Sequence, residues 1–184
     1  GGYNVGLQYA LAQRNMVYTL VVNNDVIVSP DSLTRLVKLL ESDRTGGMAG
    51  GKVFYYHNPR RIWFGGGRIS WLRGRGIYLR RDEYEVKNTF DEPPRTVSFL
   101  TGAFWLIKVT ALMRVGLLPT VYFMGGEESE YSYRMNRAGF TLWYDPNCVV
   151  WHKVGRSHDL KFSEKIAGDR LDKKSKSFAY ISPK

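Results

Sequence analysis

An apolar run at residues 17–28, VYTLVVNNDVIV, constrains the fold of this chain most strongly. Its first six residues are β-branched, aromatic or leucine, and they show no clean alternation of apolar and polar positions. Such a run is typical of a strand that is buried on both faces of an α/β sheet. Asn23, Asn24 and Asp25 then interrupt it, and burying their polar groups is costly unless those groups are used. The run therefore predicts an α/β sheet with a polar site at a strand end, which is where ligands bind in open α/β sheets.

Helical and strand-like segments alternate around this run. Residues 4–14 and 32–43 carry apolar residues at helical spacing, with Asp31 as the expected N-cap of the second helix. The segments expected further along are a strand at 48–56, short strands and loops at 57–98, a β segment at 96–109 broken at Thr101 and Gly102, helices at 110–116 and 127–139, and two short strands around the Asp145-Pro146 turn. Helices that alternate with strands predict an α/β fold.

Length and cysteine content exclude several classes of protein. The 184 residues suit one domain with an irregular extension, which buries enough surface to need no disulfide or metal staple. Cys148 is the only cysteine, so an internal disulfide cannot form. The sequence has no apolar run of about 20 residues and no visible signal peptide. We therefore expect a cytoplasmic protein, with membrane contact limited to the periphery.

The chain is strongly basic, with a net charge of +10. A field of this sign attracts phosphates on nucleotides, lipid head groups or nucleic acids. Residues 60–81 contain seven arginines and no acidic residue, with aromatic residues among them, and residues 159–184 form a Lys-rich tail with weak helical character. The arginine-rich stretch could stack nucleic-acid bases. We favour a solvated basic surface with buried aromatic residues, together with peripheral binding to anionic membranes.

Three motifs carry candidate chemistry, and each also has a purely structural interpretation. Asp25 either holds a divalent cation or ends its strand in an Asx turn. The acidic residues of GGEESEYSYR either complement a helix dipole or include a general base. His152 in VVWHK is either a metal ligand or a partly buried core residue. Taken singly, each motif favours the structural interpretation.

Taken together and in order, the motifs resemble a known family. NND, LTGAFWLIK and the segment from GLLPTVYFMGGEESEYSYR to VVWHKVG are similar to the inverting family-two glycosyltransferases, in their rhamnosyltransferase-like branch. The opening GGYNVGLQYAL resembles the Gly-rich turn and helix that follow the first βα unit of that family. The resemblance covers residues 1–158 and implies a GT-A fold, with residues 159–184 as a basic tail.

The resemblance also implies roles for individual residues. Asp25 and His152 would bind Mg or Mn, and Glu128 would be the catalytic base, with Glu127 as the first acid of the pair. The remaining residues implied to bind substrate are Asn4 and Gly6 on the nucleotide side, Asn23 near the ribose, and Thr101, Gly102 and Ala103 beneath the sugar and acceptor. The implied activity is transfer of a sugar, with inversion, from a nucleotide-diphosphate sugar to a saccharide or lipid-linked acceptor in cell-surface polysaccharide synthesis.

Two departures from the family pattern bear on these expectations. The base is usually Asp, and Glu128 adds a methylene at that position. The sequence also starts after the family's first strand, so we expect a sheet that lacks its first βα unit and exposes an edge. Such an edge predicts association with another chain. The alternatives to an active enzyme are an inactive fragment of one and a basic nucleic-acid-binding module.

Overall fold

The computed structural model describes residues 2–85, 92–121, 126–154 and 177–181. Its helices are α1 Gly2–Ala12, α2 Ser32–Ser42, α3 Val109–Val115 and α4 Glu127–Arg137. Its strands are β1 Tyr18–Val22, β2 Val26–Val28, β3 Gly46–Tyr55, β4 Asn58–Phe64, β5 Gly67–Ser70, β6 Arg75–Tyr78, β7 Arg95–Val97, β8 Phe104–Lys108, β9 Thr141–His152 and β10 Ser177–Ile181. None of the helices in these ranges is both long and apolar enough to cross a bilayer.

The strands form one large mixed sheet and a separate hairpin. The large sheet has the order β10-β1-β8-β3-β9-β2, with β4 paired to β3 and β7 paired to β9. Strands β3 and β9 run parallel, whereas the other pairs are antiparallel. β5 and β6 form the hairpin. With helices packed against this sheet, the predicted α/β class is confirmed.

The central strands are buried because most of their side chains are apolar on both faces of the sheet. In β1, Leu20 on one face and Thr19 and Val21 on the other are all buried, as expected from a run without alternation. Leu36 and Leu40, one turn apart on α2, are buried as that helix packs against β3 and β9. The Asn-Asn-Asp segment after β1 is held at its start by the Asn23 N–H, which donates to the Ala103 carbonyl at 3.0 Å.

Strand β9 differs from the prediction of two short strands around a turn. It is one strand of twelve residues, and Asp145-Pro146 forms an irregularity within it. The register with β3 shifts from Gly51↔Asp145 to Lys52↔Val149, so the extra residues bulge out of the ladder. A side chain at Gly51 would collide with the backbone of Cys148, which explains why glycine accommodates this bulge.

Two local expectations also need correction. Asp31 stands at the start of α2 but makes no side-chain capping bond, because its carboxylate accepts a hydrogen bond of 2.8 Å from the Ser29 hydroxyl. Strand β3 begins at Gly46 and not at residue 48, the start expected from the sequence.

Part of the predicted tail belongs to the sheet. Ser177–Ile181 pairs antiparallel with β1, with Tyr18 opposite Ile181, and is therefore a strand where weak helical character was expected. The β1 edge that we expected to be exposed is thus paired, and the end of the described sheet lies at β10. The predicted boundary at residue 158 falls outside the described residues.

Candidate active site

Asp25 and His152 meet because β2 pairs with the end of β9. Val26 lies opposite His152 in this ladder, and the backbone N–H of Lys153 donates to the Asp25 carbonyl at 2.9 Å. The side chains converge as well, with His152 Nε2 lying 3.0 Å from Asp25 Oδ1. Two motifs 127 residues apart in sequence therefore form one pair.

Asn23 links this pair to the segment of Thr101, Gly102 and Ala103. Its amide Nδ2 lies 3.4 Å from His152 Nε2, and its backbone N–H donates to the Ala103 carbonyl at 3.0 Å. The Tyr3 phenol lies 2.5 Å from Asn23 Oδ1 and 3.0 Å from the Gly102 carbonyl oxygen. Its one proton is shared between these two acceptors. Tyr3 thereby fastens α1 to both motifs.

The Glu128 carboxylate lies directly over Gly102. A Cβ added to Gly102 would approach Glu128 Oε1 to 2.9 Å, so only glycine leaves this space to the carboxylate. The Tyr78 hydroxyl lies 3.0 Å from the Thr101 hydroxyl and donates to Glu128 Oε2 at 3.4 Å. A continuous series of contacts thus runs through Asp25, His152, Asn23, Tyr3, Gly102 and Glu128.

Negative charge is concentrated along this series. Burial, and then the nearby carboxylates of Glu128, Glu127 and Asp25, raise the pKa of Tyr3 well above its ordinary value of 10.0. Burial and then the Glu128 carboxylate raise the pKa of Tyr78 in the same direction. Both phenols therefore stay protonated at neutral pH and serve as hydrogen-bond donors. The site combines fixed donors with several carboxylates.

The acidic residues at the start of α4 have different surroundings. Glu130 pairs with Arg134 at 2.6 Å, and Arg134 also donates to the carbonyls of Val115 and Leu117. Glu130 therefore helps to fix the chain before α4. Glu127 is half-buried, and its negative charge contributes to the raised pKa of Tyr3.

The two predicted residues of α1 have a packing environment. The Asn4 amide donates to the Leu118 carbonyl at 2.8 Å and accepts from the Leu118 N–H at 3.0 Å. Gly6 is buried within the helix. The structure thus gives Asn4 a role in positioning α1, whereas its predicted contact with the nucleotide stays a prediction.

Residues 1–168 match the sequence profile of the family described as glycosyltransferase like family 2. The chain belongs to this family. Among curated proteins it is 20% identical over 171 residues to galactofuranosyltransferase GlfT2 of Mycolicibacterium smegmatis, which covers 86% of the chain and 26% of that protein. The chain thus spans about a quarter of the length of the curated relative it matches.

Solved structures support the GT-A type of fold predicted for this glycosyltransferase-family chain. GalNAc-T7 with UDP, GalNAc and Mn²⁺ superposes with a TM-score of 0.58 at 19% identity, over 80% of this chain and 29% of that one. The mannosyltransferase PcManGT of Pyrobaculum calidifontis, in complex with GDP-Man and Mn²⁺, superposes with a TM-score of 0.52 at 16% identity. The match covers 92% of this chain and 45% of that one. A197 from STIV superposes with a TM-score of 0.50 at 13% identity, and the match covers 83% of this chain and 65% of that one. At these identities the likeness concerns the fold.

Asp25 and His152 of this family-two chain lie at hydrogen-bond distance, and the same spacing fits two ligands of one divalent cation. Two ligands at adjacent octahedral positions, each about 2.1 Å from the ion, lie about 3 Å apart, and Oδ1 and Nε2 are separated by 3.0 Å. The described residues contain no group of three or more His, Cys, Asp or Glu side chains that could hold a metal. Water or a substrate phosphate would therefore supply the other ligands, as is common for Mg²⁺.

Sequence reasoning missed Tyr3, Tyr78 and Trp63. The Trp63 ring lies edge-on to His152 with centroids 4.6 Å apart, and it contacts Tyr78 at 5.1 Å. Trp63 and Tyr78 were among the aromatic residues of the basic stretch, which carried no sign that they face the site. Tyr3 gave no signal either, because an aromatic residue on a helix usually packs in a core.

Proposed function

We propose that this family-two chain transfers a sugar, with inversion, from a nucleotide-diphosphate sugar to an acceptor hydroxyl, with Mg²⁺ or Mn²⁺ as cofactor. The observation that supports this most directly is the continuous series of contacts from Asp25 and His152 to Glu128. This series links Asp25 and His152, which would bind the cation, to Gly102 and to Glu128, which would be the base.

In this proposal the donor diphosphate lies against Asp25 and His152. The cation held there would supply positive charge against the charge that develops on the departing diphosphate. Asn23 keeps His152 and the segment at Gly102 in register through its amide and its backbone N–H. The structures of GalNAc-T7 with UDP, GalNAc and Mn²⁺ and of PcManGT with GDP-Man and Mn²⁺ support this choice of ligand and metal.

Glu128 acts as the general base. Its carboxylate accepts the proton of the acceptor hydroxyl while the oxygen forms a bond to the anomeric carbon, on the face opposite the bond to the diphosphate that breaks. Tyr78 holds one carboxylate oxygen and Gly102 leaves room for the other, so the orientation of the base is fixed before substrate binds. The acceptor is a saccharide or a lipid-linked acceptor.

A panel of nucleoside diphosphates and nucleotide-sugars tests this function. Thermal shift with and without Mn²⁺ should show stabilisation by at least one of them that requires the cation. Release of nucleoside diphosphate from that sugar donor should then need an acceptor and Glu128. Absence of any metal-dependent shift across the panel contradicts the proposal, as does turnover that survives Glu128→Gln unchanged.

A further inference from the structure

The hairpin β5–β6 carries two adjacent large apolar side chains at its tip. Ser70 pairs with Arg75, so residues 71–74 form the turn, and Gly74 has the positive φ of 58° that this turn requires. Trp71 is 74% exposed and Leu72 is 97% exposed. Two large exposed apolar side chains, adjacent on a projecting turn, indicate a surface that binds an apolar partner.

Basic residues surround this tip. Arg68, Arg73 and Arg75 of the hairpin are exposed. The Trp71 ring contacts Tyr133 of α4 with centroids 5.5 Å apart, and the exposed Arg137 lies one turn further along that helix. The tip thus combines an apolar point with a cationic rim, which is complementary to the acyl and phosphate layers of an anionic membrane.

The hairpin also holds a fixed position beside the candidate base. The backbone N–H of Gly76 donates to the Ser129 hydroxyl at 2.8 Å, next to Glu128 in α4. Tyr78, at the far end of the same strand, reaches Glu128 itself. Any surface that binds the hairpin tip would therefore be held at a fixed position relative to Glu128.

We propose that the β5–β6 tip inserts into the interface of an anionic lipid bilayer, with Trp71 and Leu72 at the boundary between head groups and acyl chains. The exposed arginines pair with lipid phosphates around them. This contact does not depend on the transfer reaction. Its consequence, that the acceptor is presented at the membrane surface and is lipid-linked, rests on the proposed function.

Two observations favour a membrane over a nucleic acid. Leu72 has no aromatic face on which a base could stack, yet it is the more exposed residue of the pair. The other aromatic residues of the basic stretch pack inward, where Trp63 and Phe64 both contact Tyr78. Among the described residues of this stretch, Trp71 therefore projects from the surface without a row of exposed aromatic rings on which successive bases could stack.

Co-sedimentation with phosphatidylcholine vesicles, with and without phosphatidylserine and in the absence of nucleotide and metal, tests the contact. Leu72→Ser should weaken binding to anionic vesicles about tenfold, since one buried aliphatic side chain contributes about that much. Arg73→Ser should weaken it about fivefold. Met113→Ser and Arg44→Ser alter exposed residues of the same types outside the hairpin and α4, and should leave binding unchanged.

A fluorescent reporter gives a second measurement. Burial raises the pKa of the only native thiol, Cys148, to about 12, so a thiol-directed dye reacts at the cysteine introduced by Leu72→Cys. An environment-sensitive dye there should shift to shorter wavelength on anionic vesicles, and a dye at Met113→Cys should not.

The proposal is overturned if Leu72→Ser behaves as Met113→Ser does and the dye at position 72 shows no shift. It is also overturned if the chain binds a single-stranded oligonucleotide more tightly than anionic vesicles and only the arginine substitutions matter. Glu128→Gln should keep full vesicle binding. A loss of transfer with vesicle binding intact therefore concerns the proposed function alone.

Discussion

His152 Nε2 lies 3.0 Å from Asp25 Oδ1, and Asn23 Nδ2 lies 3.4 Å from the same nitrogen. The ladder between β2 and β9 imposes this arrangement, since Val26 pairs with His152. The two groups therefore stay together without a ligand. A preformed pair of this kind binds a cation at a lower entropic cost than a pair that must first be assembled.

We expect nucleoside diphosphate binding to require a divalent cation and to be lost in Asp25→Ala and in His152→Ala. Each substitution removes one of the two side chains that would hold the ion. Isothermal titration with Mn²⁺ present, and again with EDTA, measures the effect. His57→Ala alters an exposed histidine in the turn between β3 and β4 and should leave affinity unchanged. An affinity that EDTA does not alter would show that no cation is shared.

The resemblance to the family located Asp25, His152 and Glu128, and the structure brings all three to one site. The hydrogen bonds of Tyr3 to Asn23 and Gly102, and of Tyr78 to Glu128, could not be predicted. They span 20 to 99 residues of sequence and depend on how α1 and β6 pack. Hydrophobic periodicity located most helices and strands. It failed at β9, where Asp145-Pro146 is typical of a turn but is accommodated as a bulge opposite Gly51.

Strand β10 was missed for a related reason. The segment SFAYI is short and is flanked by Lys-rich sequence, so local composition favoured a solvated tail. Pairing with β1 satisfies the backbone groups along the open edge of that strand, a gain that depends on long-range structure and that no local pattern reports.

Glu128→Gln should lower kcat by about 100- to 10,000-fold, since loss of a general base has effects of this size. The affinity for the donor should change little, because the amide is nearly isosteric. Glu127→Gln is the matched control on the same helical turn and should cost less in rate. Steady-state kinetics of both variants checks the assignment, and equal losses would contradict it. Glu128→Asp keeps the charge but withdraws the carboxylate from Tyr78 by one C–C bond, about 1.5 Å, and should therefore also lower kcat.

Gly102→Ala should lower kcat with little loss of thermal stability. The added Cβ would approach Glu128 Oε1 to 2.9 Å, so the flexible end of that side chain must move. A displacement of about 1 Å at a catalytic group can cost about 100-fold in rate. Gly46→Ala is the control, because its Cβ would meet the Asp43 carbonyl oxygen and the Leu40 side chain at the start of β3, outside the site. Full activity in Gly102→Ala would show that Glu128 is not held over this segment.

Removing one partner of a buried ion pair should destabilise the folded chain, because the other charge stays buried without its partner. Lys52 Nζ lies 2.7 Å from Glu85 Oε1, with side chains 0% and 6% exposed. Glu85→Ala leaves the Lys52 cation buried and should lower the free energy of unfolding by about 3–5 kcal/mol. The double substitution Lys52→Met, Glu85→Leu removes both charges and should be less damaging. Urea unfolding compares them, and a double variant as unstable as the single would argue against a cost from the buried charge.

Stability should fall at alkaline pH because of buried phenols. Burial is the main cause that raises the pKa of Tyr131 and of Tyr144 above the ordinary value of 10.0. Below about pH 10 these phenols are protonated in both the folded and the unfolded chain, so they cause no pH dependence. Above that pH the unfolded chain loses their protons first, and the free energy of unfolding decreases by about 1 kcal/mol per pH unit for each phenol.

Tyr131→Phe isolates one of these phenols. The Tyr131 hydroxyl is buried and has no hydrogen-bond partner among the described residues, so its removal should be neutral or slightly stabilising at pH 7. Above about pH 10 the variant should lose stability less steeply than the parent chain, because one proton fewer is released on unfolding. Tyr9→Phe, at a residue that is 54% exposed, removes no buried hydroxyl and is the control. Urea unfolding followed by circular dichroism over this pH range measures the slopes, and identical slopes for Tyr131→Phe and the parent would show that Tyr131 ionises normally in the folded chain.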